Sequence, residues 1–245
     1  MPDARILLLQ ARYSGDPAID NERASFARAA EVPLEQVRSH SLLDGPPTLA
    51  VIRDHQAVMI GGAGEFLVSK ADLPRFDSTL ERLTETVEAG QPMFASCFGF
   101  QLLVKALGGE IIFDQGGMEA GTYDLELTSS GAGDPIFGAL PRVFQAQLGR
   151  KDRAARLPDN TEHLAGSQAA PYQALRITDK PVWATQFHPE LTGAENLARY
   201  RAYLETYAAH MTTDEITASI ARFGESPDTI HLIGRFMRWI DEKFP

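Results

Sequence analysis

Residues 92–103 read PMFASCFGFQLL. The stretch 92–96 is short and apolar, as in a strand buried on both faces, and it runs without a linker into Cys97. Residues 98–107 then have the spacing of an amphipathic helix, closed by Gly108-Gly109. A strand that turns straight into a helix is the repeating step of a parallel α/β sheet. The side chain at such a turn stands at the C-terminal end of its strand, where the first free N–H groups of the helix point at it.

Outward from this turn the same step recurs. Residues 5–10, 37–43 and 55–60 read as strands, and 20–30 and 80–89 as helices, with breakers at Asp44-Gly45-Pro46-Pro47 and Gly90. Beyond residue 109 the pattern changes. Residues 122–128 (TYDLELT) alternate like a half-exposed strand, 143–147 reads as another, and 172–177 and 182–187 flank a turn at Asp179-Lys180. These describe an antiparallel extension of the sheet. Helices are expected over 195–207, 213–223 and 229–244, the last announced by Ser226-Pro227-Asp228. The expected fold is α/β: a mainly parallel sheet flanked by helices, a small antiparallel β extension and extra C-terminal helices. Residues 1–211 are read as the domain and 212–245 as a helical extension packed on it. The apolar face of that tail packs back on the domain or, as the alternative, covers an oligomer or partner interface.

With 245 residues, 44% of them hydrophobic, the chain can bury a core without a disulfide or metal. Its 33 acidic and 23 basic residues give a charge of -10, which argues against a general nucleic-acid or anionic-membrane surface. Cys97 is the single cysteine, so no intramolecular disulfide forms, and a lone thiol fits a reducing, cytoplasmic setting. The apolar run at 6–9 is too short for a signal peptide, and no stretch approaches the roughly 20 apolar residues that span a bilayer. The six histidines show no ligand spacing, so neither a metal nor an organic cofactor is expected.

Three short segments carry chemistry. Cys97 on its sharp turn is the cysteine form of a nucleophile elbow, and the helix behind it favours the thiolate. Gly99, two residues on, is read as leaving space beside the sulfur. In VWATQFHPEL, residues 182–191, a β-type run ends and His188 and Glu190 leave the sheet on either side of Pro189. His188 can then face the cysteine while Glu190 holds its other nitrogen, which is the logic of a nucleophile, base and orienting acid. Gly61-Gly62-Ala63-Gly64 follows a strand and lets backbone amides turn toward a reacting oxygen. Each segment alone also has a plain structural reading: a core cysteine, a turn histidine, a flexible loop.

Together, in this order, the segments resemble the class I (triad-type) glutamine amidotransferases, in particular the amidotransferase domain of GMP synthase and its stand-alone relatives. The matching stretches are IGGAGE (60–65), the C-x-G-x-Q elbow from Cys97 to Gln101, and TQFHPEL (185–191), supported by GTYDLELT (121–128) and 157–174. The resemblance spans roughly residues 5–207. It implies a flavodoxin-like sheet and a Cys-His-Glu triad in a cysteine-dependent amidohydrolase. In that reading Cys97 attacks the glutamine side-chain carbonyl, His188 shuttles the proton and Glu190 orients the imidazole. The N–H groups of Gly62 and Phe98 form the oxyanion hole, Gln101 binds glutamine, and ammonia passes to an acceptor or to a separate synthetase subunit. The alternatives are hydrolysis of another γ-glutamyl amine or peptide, and a non-catalytic regulatory subunit that keeps the fold.

Two departures stand out. Ala63 replaces a proline common in the first loop, at the cost of rigidity only. In QLGRKDRA (147–154) Arg150 occupies the place expected for a histidine, in a region where relatives line the glutamine pocket. It is read either as a carboxylate-binding residue or as the partner of Asp152 in a surface ion pair. Glu119 stands where the family often carries an acid, and no role is assigned to it.

Overall fold

The computed structural model describes residues 5–204 and 212–244. The end of the helix expected over 195–207 and the domain boundary at 211/212 lie partly outside them. Four strands begin the sheet, β1 (Ile6–Ala11), β2 (Val37–Ser41), β3 (Ala57–Ala63) and β4 (Met93–Ser96). The helices α1 (Ala18–Ala29), α2 (Leu49–Arg53), α3 (Phe76–Glu88) and α4 (Phe98–Ala106) connect or follow them. Then come β5 (Glu110–Phe113), β6 (Glu119–Leu127), α5 (Ser129–Gly133), β7 (Val143–Arg150) and β8 (Asp152–Arg156). The chain continues through β9 (Thr161–Gly166), β10 (Ala174–Ile177), β11 (Val182–Thr185), α6 (Gly193–Ala202), α7 (Thr213–Ile220) and α8 (Leu232–Lys243).

Among the described residues nine strands form one sheet in the order β2-β1-β3-β4-β11-β10-β9-β6-β7. The first five are mutually parallel; from β10 onward every neighbour is antiparallel. β5 and β8 pair separately as a two-stranded ribbon. The α/β architecture of mostly parallel strands flanked by helices is therefore the one expected, and its antiparallel arm runs to four strands. The arm starts at the hairpin β10–β11, where Asp179 takes a left-handed φ of 58° at the expected turn.

The parallel strands are apolar on both faces because both are covered. Ile6 and Leu8, Met59, Phe94 and Trp183 point to one side, onto Phe26 of α1 and Leu232, Phe236 and Ile240 of α8. Leu7 and Leu9, Val58 and Ile60, Met93 and Ala95 point to the other, onto Leu83 of α3 and Leu103 of α4. The C-terminal helix thus contributes buried side chains to the central core.

Two local differences from the sequence reading bear on the site. β3 does not stop at Ile60 but continues through Gly61, Gly62 and Ala63, with a register slip against β1 between Leu9 and Ala11. The strand read over 143–147 runs on to Arg150, and after Lys151 the chain starts β8 at Asp152.

Candidate active site

The parallel strands end together, and the chemistry-bearing residues lie at those ends. β4 delivers Cys97 at a backbone conformation of φ 52°, ψ -101°, unusual for any residue with a Cβ. The turn is held because the Cys97 N–H donates to the Thr185 carbonyl on β11 at 2.7 Å and its carbonyl accepts from Gln101 N–H as α4 begins. The side chain is 6% exposed. Gly99 plays a different part from the one expected. A Cβ there would stand 2.7 Å from Ile60 Cβ and 2.8 Å from its carbonyl oxygen, so this glycine lets α4 sit against β3.

β11 ends at Thr185, and the chain carries His188 over to the cysteine, fixed by its N–H donating to the Gln147 carbonyl at 2.9 Å. His188 Nδ1 lies 2.7 Å from Glu190 Oε1. On its other side the imidazole faces the Cys97 side chain, with which it lines one cleft. Burial disfavours the imidazolium, yet the facing Cys97 and Glu190 outweigh it and push His188 up to about 10. Gly62 explains itself here: a Cβ on it would meet His188 Cε1 at 2.8 Å. Glu190 is fully buried, and its backbone carbonyl accepts from Arg28 Nη2 at 2.7 Å.

Cys97 lies where two clefts meet. One is lined by Ala63, Phe66, Phe98, Gln101, Lys151 and Asp152, the other by Gly62, His188, Asn196, Arg199, Tyr203 and Phe223. Phe98 opens α4, so its N–H is among those without an intrahelical partner. Gly62, near the end of β3, lines the same cleft as Cys97. Gln101 is buried, its amide donating to the Asp152 carbonyl and to Gln186 Oε1, both at 3.2 Å. Gln186 in turn lies 3.8 Å from the sulfur. The structure thus brings Cys97, His188, Glu190, Gly62, Phe98 and Gln101 to one place.

Arg150 is different. Its side chain is fully buried, with Nε donating to Glu119 Oε2 and Nη2 2.7 Å from the same oxygen, and Asp114 is 3.5 Å away. The pairing follows from register, since Glu119 and Arg150 face each other across β6 and β7. Its partner is therefore Glu119 in the interior and not Asp152 at the surface, and the guanidinium is engaged where a free carboxylate-binding group was considered. Asp152 instead accepts from Ser69 N and Oγ at 2.8 and 2.7 Å; burial raises its pKa against those bonds. Lys151, beside it, is lowered by burial and by the neighbouring Lys70.

Several residues of the site escaped the sequence reading. Arg12, at the end of β1, binds buried Glu22 of α1 through Nε at 3.0 Å and Nη2 at 2.9 Å. Arg12 Nη2 also reaches the Gly62 carbonyl at 3.3 Å, tying the glycine segment to this pair. Burial opposes the ionised form of Glu22, but Arg12, Arg199 and Gln10 lower its pKa nonetheless. The only available signal was an acid in a helix otherwise facing the core, which reads in sequence as a solvated charge.

A family model described as glutamine amidotransferase class-I matches residues 50–203. A subunit of the glutamine-hydrolyzing GMP synthase of Methanothermobacter thermautotrophicus is 31% identical over 171 residues, covering 67% of this chain and 78% of that one. The corresponding subunit from Archaeoglobus fulgidus is 27% identical over 165 residues, 67% of this chain and 82% of the other. Among solved structures, a glutamine amidotransferase from Thermotoga maritima superposes with a TM-score of 0.71 over 97% of this chain and 99% of its own, at 17% identity, a likeness of fold.

Proposed function

The chain belongs to the class I glutamine amidotransferases, cysteine-dependent enzymes, and from that premise we propose that it hydrolyses the side-chain amide of glutamine through a thioester on Cys97. The Cys97 thiolate attacks the amide carbon. The oxyanion that forms accepts hydrogen bonds from the N–H groups of Gly62 and Phe98, an arrangement in which losing one donor typically costs about 2.7–4 kcal/mol. The His188 imidazolium gives its proton to the departing nitrogen, and ammonia leaves as the γ-glutamyl thioester forms. His188, now neutral, takes a proton from water; the hydroxide attacks the thioester, and glutamate and the thiolate are released. Glu190 holds the imidazole in the orientation and tautomer both steps need.

The observation that carries this reading is His188 held by Glu190 at 2.7 Å and facing Cys97 on a strained turn. Gln101 and Lys151, in the first cleft, are the groups proposed to meet the amino-acid end of the substrate. The relatives are named as single subunits of GMP synthase, which supports transfer of the ammonia to a separate synthetase subunit. One observation favours a second reading: the other cleft, beyond His188, is lined by Tyr200, Tyr203 and Phe223, side chains that suit an organic leaving group better than ammonia. The test is glutamate release by wild type and Cys97→Ala from glutamine and from a panel of γ-glutamyl amines. Turnover of glutamine that disappears in the variant supports the proposal; preference for a panel compound transfers it to the second reading.

A further inference from the structure

Arg199 of α6 has an unusual position. Its side chain is only 10% exposed, and among the described residues its Nε, Nη1 and Nη2 have no hydrogen-bond partner. What surrounds it is charge: Nη1 is 3.6 Å from Glu22 Oε1 and 3.9 Å from Glu190 Oε1, both carboxylates fully buried. Glu190 Oε2 also lacks a hydrogen-bond partner. The neighbours extend this into one row of alternating sign: Asp16, Arg12, Glu22, Arg199, Glu190, His188, Cys97.

We propose that Arg199 is a positioning residue that acts through Glu190: its charge offsets the two buried carboxylates, so that Glu190 can hold the His188 imidazolium without making the row too negative for the Cys97 thiolate. A guanidinium that makes no hydrogen bond here is not placed for a structural bond, whereas its charge acts at 3.9 Å in a buried setting where water screens little. Without it two buried carboxylates face one gap. The local potential along the row then becomes more negative, which disfavours the Cys97 thiolate. Among the described residues, the other charged or titratable groups facing this row are Arg28 of α1, on the Glu190 carbonyl, Tyr203 on Arg12 and Asp16, and Lys151 on the far side of Cys97.

The proposal rests on the triad reading above, and a substrate-free measurement separates the two. Cys97 is the only cysteine, so iodoacetamide labelling followed by mass reports on it alone. The rate is measured against pH for wild type, Arg199→Gln and Arg199→Lys, with a melting curve for each. The acid limb is expected to move up by about one pH unit in Arg199→Gln, a roughly tenfold loss of rate on the limb, with the alkaline plateau within about twofold. Arg199→Lys keeps the charge and should lie within about 0.3 unit of wild type. A wild-type profile with no acid limb below neutrality overturns the triad itself and the proposal with it. A wild-type limb that Arg199→Gln leaves in place overturns only the role of Arg199. Should Arg199→Gln fail to fold, Arg199→Lys decides: a limb moved by a full unit despite the retained charge overturns the proposal, and a wild-type limb supports it.

Discussion

At the scale of single residues, the site is a set of side chains that fit only because particular neighbours are small or charged. Gly62 is the sharpest case. Its missing Cβ is the space that the His188 ring occupies, 2.8 Å from where the atom would be. Gly62→Ala should therefore displace the imidazole and lower kcat/KM for glutamine by about 10²-fold or more, the scale of a lost oxyanion donor or misplaced base, with little change in melting temperature. An equal loss of stability and activity would make the glycine structural. His188 supports a second prediction, with a definite sign. Its folded pKa, about 10, stands above the ordinary 6.5, so its stabilising pairing is complete below about 6.5 and is lost as pH rises through 10. The melting temperature of wild type should fall between pH 7 and 10 by more than that of His188→Gln, which lacks the group. Parallel curves would remove the ion pair. Of these residues the sequence revealed Cys97, His188 and Glu190, because each sits at the break of an apolar run. It did not reveal Arg12, Glu22 or Arg199, because a charge on a helix or strand end looks the same whether it faces water or another buried charge.

At the scale of elements, what matters is how strand ends and helix starts are joined. α4 must approach β3 closely enough to aim its N-terminus at Cys97, and Gly99 permits that approach, its absent Cβ being 2.7 Å from Ile60 Cβ. Gly99→Ala should cost about 1–3 kcal/mol in urea unfolding, the range of an overpacked interior, and slow Cys97 labelling as α4 tilts away. A stable variant labelled at the wild-type rate would show that the helix position is not set there. The strand-turn-helix units before residue 109 were legible because buried parallel strands are written as continuous apolar runs. β5, β8 and β9 were not. β8 reads DRAAR and β9 reads TEHLAG, and neither reads as an apolar alternation; the polar side chains of β8 find partners across the fold. Asp152 takes Ser69, Arg153 takes Asp114, and Arg156 donates to the Gly108 carbonyl. Such partners come from distant segments, so nothing within the strand announces them.

At the scale of the whole molecule, the question is whether the C-terminal helices belong to the same folding unit as the sheet, and we propose that they do. An apolar face at helical spacing was visible from Leu232 to Trp239, but a sequence cannot say which surface receives it. In the fold α8 covers the side of the parallel strands that α1 leaves open, with Leu232, Ile233, Phe236 and Ile240 fully buried. Phe236 stacks edge-on against Phe94 of β4 at 5.5 Å and Trp183 of β11 at 5.8 Å between ring centroids. β4 and β11 are the strands that carry Cys97 and lead to His188, so the helix braces the catalytic strands from behind. The chain's two tryptophans stand at this seam, Trp183 in the sheet and Trp239 on α8, 4.9 Å apart. Tryptophan fluorescence therefore reports the docking of α8, while far-UV circular dichroism reports the whole sheet. In guanidinium the two transitions should coincide for wild type, as they do for one cooperative unit. Phe236→Ala should lower stability by about 3–5 kcal/mol, the cost of truncating a buried phenylalanine, and move both transitions together. Were the fluorescence change to come first in either protein, leaving a folded sheet without α8, the helices would be an accessory and the brace behind the active site would have to lie elsewhere.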